Sequence, residues 1–362
     1  QKNRPCRQTN FERHTRDRVS ETSVRVAQCR THMISYLPSD AGWMLAIFGL
    51  GGILGILVHK HQPSGYRTLR SLFGSREPES SKAPKREWAI GIYEGTSPWD
   101  LAESRRVANP VLTRDDVNDV DAELLADPFM IVREGVYYLF FEILLSGEHK
   151  GVIGHAVSAD GFDWQYRGVV MKEEFHLAYP HVFEWNGQVY MVPESHDDFS
   201  VRLYRAVEFP QRWEFVNKLL TGHDYVDATL FRHADMWWMF ASTTRNDVLN
   251  LYYSKNLKDG WSAHPMNPVV KLDKHIARPG GSVIEHEGRL YRFGQDDDPD
   301  YGIQVFAFEI VELDTEVYRE RMMLEKPAIT ASGHGWNASG MHHVDLHRRD
   351  GGWMAAVDGR RA

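Results

Sequence analysis

"ADPFMIVREGVYYLFFE", residues Ala126 to Glu142, is the stretch on which the reading of this chain turns. An Asp-Pro pair opens it, an apolar run follows, Glu134-Gly135 supplies a turn, and an aromatic run closes on a glutamate. Short apolar and aromatic runs on either side of a Gly turn specify a β-hairpin. The pattern returns as "AYPHVFEWNGQVYMVPE" (Ala178–Glu194), "VDATLFRHADMWWMFAS" (Val226–Ser242) and "PGGSVIEHEGRLYRFGQ" (Pro279–Gln295), with a degenerate fifth copy, "MHHVDLHRRDGGWMAAV" (Met341–Val357). The anchors Asp127, Tyr179, Asp227, Gly280 and His342 are spaced by roughly 50 residues, the period of a propeller blade.

Each of the first three copies continues into a second hairpin loop that ends on tryptophan: "SADGFDW" (Ser158–Trp164), "AVEFPQRW" (Ala206–Trp213) and "SKNLKDGW" (Ser254–Trp261). A unit therefore holds about four strands, and five units predict an all-β, five-bladed β-propeller over residues 88–362. "WAIGIYEGTSPWDL" (Trp88–Leu101) and "NPVLTRDDV" precede the first copy and are expected to supply the strands that close the last blade. The competing architecture is a β-sandwich whose hairpins resemble one another by chance.

In a propeller the innermost strands line a central channel, so residues far apart in sequence meet at one mouth. Asp127, Tyr179, Asp227, Arg278 and His342 begin those strands, and His181, Glu142, Glu194, Gln295 and Asp296 are expected beside them. Glycoside cleavage needs two facing carboxylates, which Asp127 with Asp227 or Glu194 would supply as catalytic groups. Tyr179, His181, Arg278, Gln295, Asp296, His342 and Glu142 are then candidates for substrate binding. Trp185, Trp237 and Trp238 are candidate sugar platforms, with at least one of them in the core. Each assignment has a structural counterpart: an Asp before Pro caps turns, and an Arg in a strand start ties blades together.

Composition narrows the partners. A net charge of −8 without a basic block in the body argues against nucleic acid. The two cysteines, Cys6 and Cys29, lie outside the body, which leaves it without a disulfide or thiolate metal site. The histidines lack zinc spacing, and "QDDDPD" (Gln295–Asp300) lacks the Gly and distal Glu of a calcium loop; it reads as a solvated acidic loop. No metal and no cofactor is expected. Asn337-Ala338-Ser339 is a glycosylation sequon, meaningful only in a secreted domain.

Residues 1–42 read as disordered or as non-native sequence. "WMLAIFGLGGILGILV", residues 43–58, is uncharged. As a helix it would span about 24 Å, less than the roughly 30 Å hydrocarbon core. A hydrophobic run followed by a polar linker (59–87) and a domain has the layout of a single-pass signal anchor, which implies a membrane location.

The motifs "GIYEGTSPWDL", "HLAYPHVFEWNGQVYMVPES", "LYRAVEFPQRW", "DATLFRHADMWWMFAST", "HPMNPVV" and "ARPGG…LYRFGQD" occur in order over residues 88–359. They resemble the N-terminal domain of plant glucosamine inositolphosphorylceramide transferase and its bacterial relatives. The resemblance implies a five-bladed propeller akin to family 43 glycoside hydrolases, arabinanases and levansucrases. It implies a Golgi-like membrane setting if the chain is eukaryotic, a glycan or glycolipid ligand, and a partner glycosyltransferase in an exostosin-like domain. The implied role is carbohydrate-active, in assembly of a glycolipid or polysaccharide. The alternatives are a glycoside hydrolase and a non-catalytic interaction propeller. Family 43 hydrolases carry an Asp base at the start of blade one, where Asp127 matches. They carry a second Asp at blade two, where Tyr179-Pro180-His181 stands, and a Glu acid at blade three, where Asp227 stands.

Overall fold

The computed structural model describes residues 43–48, 55–60, 87–349 and 351–361. The expectations for residues 1–42 and for most of the 59–87 linker lie outside the described residues. The chain divides into two units, residues 1–80 and 81–362. In the first, Trp43–Phe48 and Gly55–Lys60 pair as an antiparallel hairpin with Trp43 opposite Lys60. Among the described residues no helix is long and apolar enough to cross a membrane.

The second unit is a ring of five antiparallel sheets. Blade 1 runs outward through Ala122–Arg133, Val136–Leu145, Gly151–Ser158 and Gln165–Met171. Blade 2 uses Ala178–Trp185, Gln188–Glu194, Ser200–Glu208 and Arg212–Thr221. Blade 3 is built on Tyr225–His233, Met236–Thr243 and Val248–Ser254, edged by Ser262–Ala263 and Val270–Lys271. In blade 4 the inner strand is broken into Arg278–Pro279 and Ile284–His286, followed by Arg289–Asp296, Gln304–Leu313 and Tyr318–Met322. Blade 5 joins both ends of the ring: Val344–Arg349 and Gly352–Arg360 pair with Trp88–Ser97 and then Asp100–Glu103. "NPVLTRDDV" adds no strand; it contributes the isolated bridge Ile90–Leu112 and the short 3-10 turn Arg114–Asp116.

Local chemistry sets the hairpins. Arg133 faces Val136, Trp185 faces Gln188, His233 faces Met236, and His286 faces Arg289. Each loop therefore has two residues. Both have positive φ in Glu134-Gly135, Asn186-Gly187, Ala234-Asp235 and Glu287-Gly288. That is the I′-type geometry whose twist matches the strands. The tryptophans fasten the outer loops as expected. Trp164, Trp213 and Trp261 donate their indole N–H to the carbonyls of Gly161, Pro210 and Leu257 at 3.1, 2.9 and 3.1 Å.

The core lies between blades rather than within a sandwich. Phe129 and Phe140 of blade 1 pack with Tyr179 and Met191 of blade 2. Val192 and Leu203 meet Leu230 and Met239 of blade 3, and Phe240 and Leu251 meet Ile310 of blade 4. Phe293 and Val305 meet Val344 and Ala355 of blade 5, and Ile90 and Ile92 close onto Leu125 and Phe141. Fully burying a side chain of this size is worth about 1.5–3 kcal/mol, so ring closure is a large term. Trp237 and Trp238, proposed as platforms, are buried, and Trp185 stands edge-on to Trp237 at 5.3 Å. Trp237 and Trp238 cement the interior instead of facing a ligand, whereas Trp185 is half-buried with Arg232 over its ring at 4.7 Å.

Candidate functional site at the channel mouth

A shared irregularity aims the inner strands. The pairing jumps from Ala126–Glu142 to Phe129–Phe140, from Ala178–Glu194 to His181–Val192, and from Val226–Ser242 to Thr229–Phe240. Each jump is a β-bulge, with two residues opposing one. The first bulged residue is left-handed in every case: Asp127 (φ 54°), Tyr179 (φ 41°) and Asp227 (φ 51°). Such backbone costs on the order of 1 kcal/mol per site, more for tyrosine than for aspartate. The result is that three side chains turn towards the axis.

Arg278 is the hub. Its Nε and Nη2 donate to the two oxygens of Asp227 at 2.6 and 3.2 Å, Nη2 also reaches Glu194 Oε2 at 3.3 Å, and Nη1 donates to Asn246 at 3.1 Å. Tyr301 lies against the guanidinium, 5.4 Å from ring centroid to carbon. Gln295 Nε2 adds a donor to Asp227 Oδ2 at 2.7 Å and to the Pro279 carbonyl at 2.6 Å. Burial holds the Asp227 carboxyl well above its usual range, Arg278 opposes it, and the charges of Glu194 and Asp127 add to it. Asp227 is 0% exposed and both its oxygens are occupied. It is an anchor for Arg278, and its expected availability as a catalytic acid is not what the geometry provides.

A second chain crosses from blade 5 to blade 1. Asp358 Oδ1 accepts the backbone N–H groups of His342 and His343, both at 3.0 Å, and its Oδ2 lies 2.7 Å from His342 Nδ1. His342 Nε2 and His343 Nδ1 stand 3.7 and 3.8 Å from Asp127 Oδ1. Burial lowers the His342 imidazole, but Asp358 outweighs it and the pKa ends raised. Burial raises Asp127, and the two imidazoles oppose it. Among the described residues, Asp127, His342 and Asp358 offer ligand atoms within 4.8 Å of one another, close enough to hold a metal. A cation there would have to displace the His342–Asp358 pair.

Two carboxylate–imidazole pairs lie beside this cluster, and in each the imidazole is the more exposed partner. His176 Nδ1 accepts the Gly151 N–H at 2.9 Å, which leaves the proton on Nε2, 3.5 Å from Glu142 Oε1. His196 Nδ1 is 2.7 Å from Glu194 Oε1 and its Nε2 is 3.2 Å from Asp197. The two imidazoles lie 5.5 Å apart. Side-chain exposure is 27% for His196, 17% for His176, 12% for Arg278 and 11% for Glu142, against 6% for Asp127, 4% for Glu194 and 1% for Asp227. Burial, then the charges of Asp127 and Glu194, hold Glu142 well above the usual carboxylate range. Burial also raises Glu194, but the His196 hydrogen bond and Arg278 outweigh it and bring it to about 2. The Glu194 hydrogen bond raises His196, while burial lowers His176. The site thus biases Glu142 towards its neutral form, while Glu194 is an anion that favours the charged form of the His196 imidazole.

Several expected ligand contacts are spent inside the ring. Tyr179 fills the channel: its hydroxyl is 2.8 Å from Thr229 Oγ1, accepts the Gly281 N–H at 2.9 Å and donates to the Gly281 carbonyl at 3.2 Å. His181 sits deeper, edge-on to Phe129 at 5.2 Å, and burial lowers it to about 4. His342 is buried beneath Trp88, 4.1 Å between ring centroids. Gln295 is consumed by Asp227 and Pro279. Asp296 is not solvated: it bonds His275 at 2.8 Å and Gln304 at 2.7 Å, and Asp297 accepts the Gly302 N–H at 2.9 Å. Asn337 of the sequon is buried, its Nδ2 on the Tyr93 hydroxyl at 2.8 Å, and offers no acceptor for a glycan.

Sequence reasoning did not single out Asp358, Tyr301, His196 or Asn246. His196 had a usable signal, since it follows Glu194 by two residues at a strand end. Asp358 falls one residue past the degenerate fifth copy, so the repeat alignment stops short of it.

Known proteins agree with this architecture. The family model described as glucosamine inositolphosphorylceramide transferase 1, N-terminal, matches residues 81–360. The chain is 34% identical to glucosamine inositolphosphorylceramide transferase 1 of Oryza sativa subsp. japonica, covering 93% of this chain and 47% of the relative. It is 35% identical to the Arabidopsis thaliana protein of the same name, over 76% of this chain and 39% of the relative. It thus spans about half the length of the rice relative. In fold it is similar to an exo-β-1,3-galactanase of Clostridium thermocellum, with a TM-score of 0.50 at 14% identity, over 66% of this chain and 59% of that one. By match and by sequence, the chain belongs to the family of glucosamine inositolphosphorylceramide transferase 1 N-terminal domains.

Proposed function

We propose that the propeller is a glycan-recognising domain that serves glycoconjugate assembly, presenting a sugar or glycolipid head group to a glycosyltransferase domain. The observation that carries this reading is the pair of carboxylate–imidazole contacts, Glu142–His176 and Glu194–His196, whose imidazoles are partly exposed beside the Arg278 hub. Together they offer convergent donors and acceptors for sugar hydroxyls on a rigid frame. Membership of a family named for a sugar transferase supports it. An interaction propeller with no small-molecule site does not account for so many polar groups directed at one mouth.

Hydrolysis is the second reading, favoured by one observation. Neighbouring carboxyls pushed in opposite directions, Glu142 upward and Glu194 downward, suit an acid and its partner. Asp127 would serve as base in that reading; Asp227, saturated by Arg278, would not take part.

A glycan array combined with a hydrolysis screen tests both, using wild type, Glu194→Gln and Asp127→Asn. Recognition predicts glycan binding that falls in Glu194→Gln, with no sugar released. Wild type that binds nothing on the array would sink the recognition reading. Release of sugar that is lost in Asp127→Asn would favour hydrolysis, and release that persists would remove Asp127 from the chemistry. We also propose that residues 43–58 hold the domain at a membrane, as sequence alone suggests. Liposome flotation of the chain with and without that segment tests it, and equal flotation would refute it.

A further inference from the structure

Outside the channel, on the flank of blade 5, Trp336 sits in the 3-10 turn Gly335–Asn337. Its six-membered ring lies across Gly91 and Gly359, which are diagonal neighbours on paired strands. A Cβ on either glycine would come within 2.5 Å of ring atoms, so a larger residue at either position would push the indole off. The ring is also fixed in rotation, because its N–H donates to Glu103 Oε1 at 2.8 Å. The next residue, Asn337, pins the turn through Tyr93 and through Ser332, whose hydroxyl it accepts at 2.6 Å.

Two cavities, of about 510 and 490 Å³, both open on Trp336. The first is walled by half-buried Trp99 and carries Lys326, Thr330 and His334. The second carries Thr113, Asp115 and the Arg114–Glu87 ion pair at 3.1 Å. Trp336 is half-buried and lines both cavities. Here a ring immobilised on glycine faces a cleft with polar side chains on both sides.

We infer that this cleft is a second carbohydrate site, one that takes a chain of neutral sugars rather than a single residue. The electron-rich face of an indole attracts the weakly positive C–H face of a pyranose, and the flanking polar groups match its hydroxyls. Two cavities meeting at one platform accommodate an extended oligosaccharide. The site shares none of these residues with the channel mouth and does not depend on what the mouth binds.

The test is calorimetric titration of the full chain with laminarihexaose, xylohexaose, cellohexaose and arabinohexaose, alongside glucose as a single sugar. Wild type is compared with Trp336→Ala and with Glu194→Gln at the mouth. Because Trp336→Ala also uncovers the sheet, Thr330→Arg is a second variant that fills the cleft from its exposed edge. The expectation is that at least one hexasaccharide binds, and that both flank variants weaken it about tenfold or more while Glu194→Gln does not. Absence of binding to all four hexasaccharides overturns the inference. So does a loss in Glu194→Gln equal to that in the flank variants, or unchanged affinity in Thr330→Arg.

Discussion

Replacing Arg278 by methionine removes the one cation that faces Asp227 and Glu194 together. Three side-chain hydrogen bonds to carboxylate vanish, at 2.6, 3.2 and 3.3 Å. Asp227 has no route to water at 0% exposure, so any charge on it is left buried with the Gln295 amide as its remaining donor. Breaking a buried ion pair from one side costs about 3–5 kcal/mol. The upper half of that range applies, because one guanidinium serves two carboxylates and the neighbouring Asn246 also loses its partner. The deficit depends on pH in a definite sense. Without Arg278, the folded-state pKa of Asp227 rises further above its unfolded value, so the native state binds the extra proton. Stability of the variant then falls as pH rises through that pKa, and the gap to wild type narrows on acidification towards pH ~5. Urea denaturation followed by tryptophan fluorescence at pH ~5 and pH ~7 measures both effects, and Arg278→Met/Asp227→Asn should recover much of the loss. A deficit under about 1 kcal/mol at pH ~7 would refute the ion-pair account. A double variant no more stable than the single one would do the same.

Glu194, held near pH 2 in the native state, contributes about 3 kcal/mol that is complete above its unfolded pKa and is lost as pH falls towards 2. Glu194→Gln should therefore flatten the acid limb of the stability profile and lower the His196 pKa in an NMR titration; an unmoved His196 resonance would contradict the pairing. Tyr179→Phe removes the hydroxyl that bridges Thr229 and Gly281 and should cost about 1–3 kcal/mol in urea melts without altering glycan affinity. Weakened glycan binding at unchanged stability would return Tyr179 to the ligand site. Gly281 has φ 138°, and an added Cβ would sit 1.9 Å from the Val344 carbonyl, so Gly281→Ala should lower the urea midpoint by the equivalent of about 3 kcal/mol or more. A wild-type midpoint would show that blades 4 and 5 can part there at no cost.

The propeller was legible because its determinants are short-range. Two-residue turns such as Glu134-Gly135 and Asn186-Gly187, and the loop tryptophans Trp164, Trp213 and Trp261, act within a few residues and repeat with the blade. Their recurrence is enough to count blades and to predict that the N-terminal strand Trp88–Ser97 closes the ring. The bulges at Asp127, Tyr179 and Asp227 were visible only as polar residues at strand starts; their left-handed backbone was not.

What the amino-acid order determined by itself is the ring and the set of polar residues sent towards its axis. Which of them remain free for a ligand was decided by tertiary structure alone. Arg278 saturates Asp227, 51 residues away, and reaches Glu194, 84 away. Asp358 holds His342 and receives the Asp127 N–H across 231 residues. A carboxylate has a fixed number of lone pairs, and a partner that fills them removes it from chemistry. That competition is settled by distances of about 3 Å, which repeat spacing does not encode. So Asp127 and Asp227, the residues the repeat makes most conspicuous, are largely spent on the frame. Glu194 is filled in the same way, by His196 on Oε1 and Arg278 on Oε2, and Glu142 and two loop histidines are left to meet whatever enters the mouth.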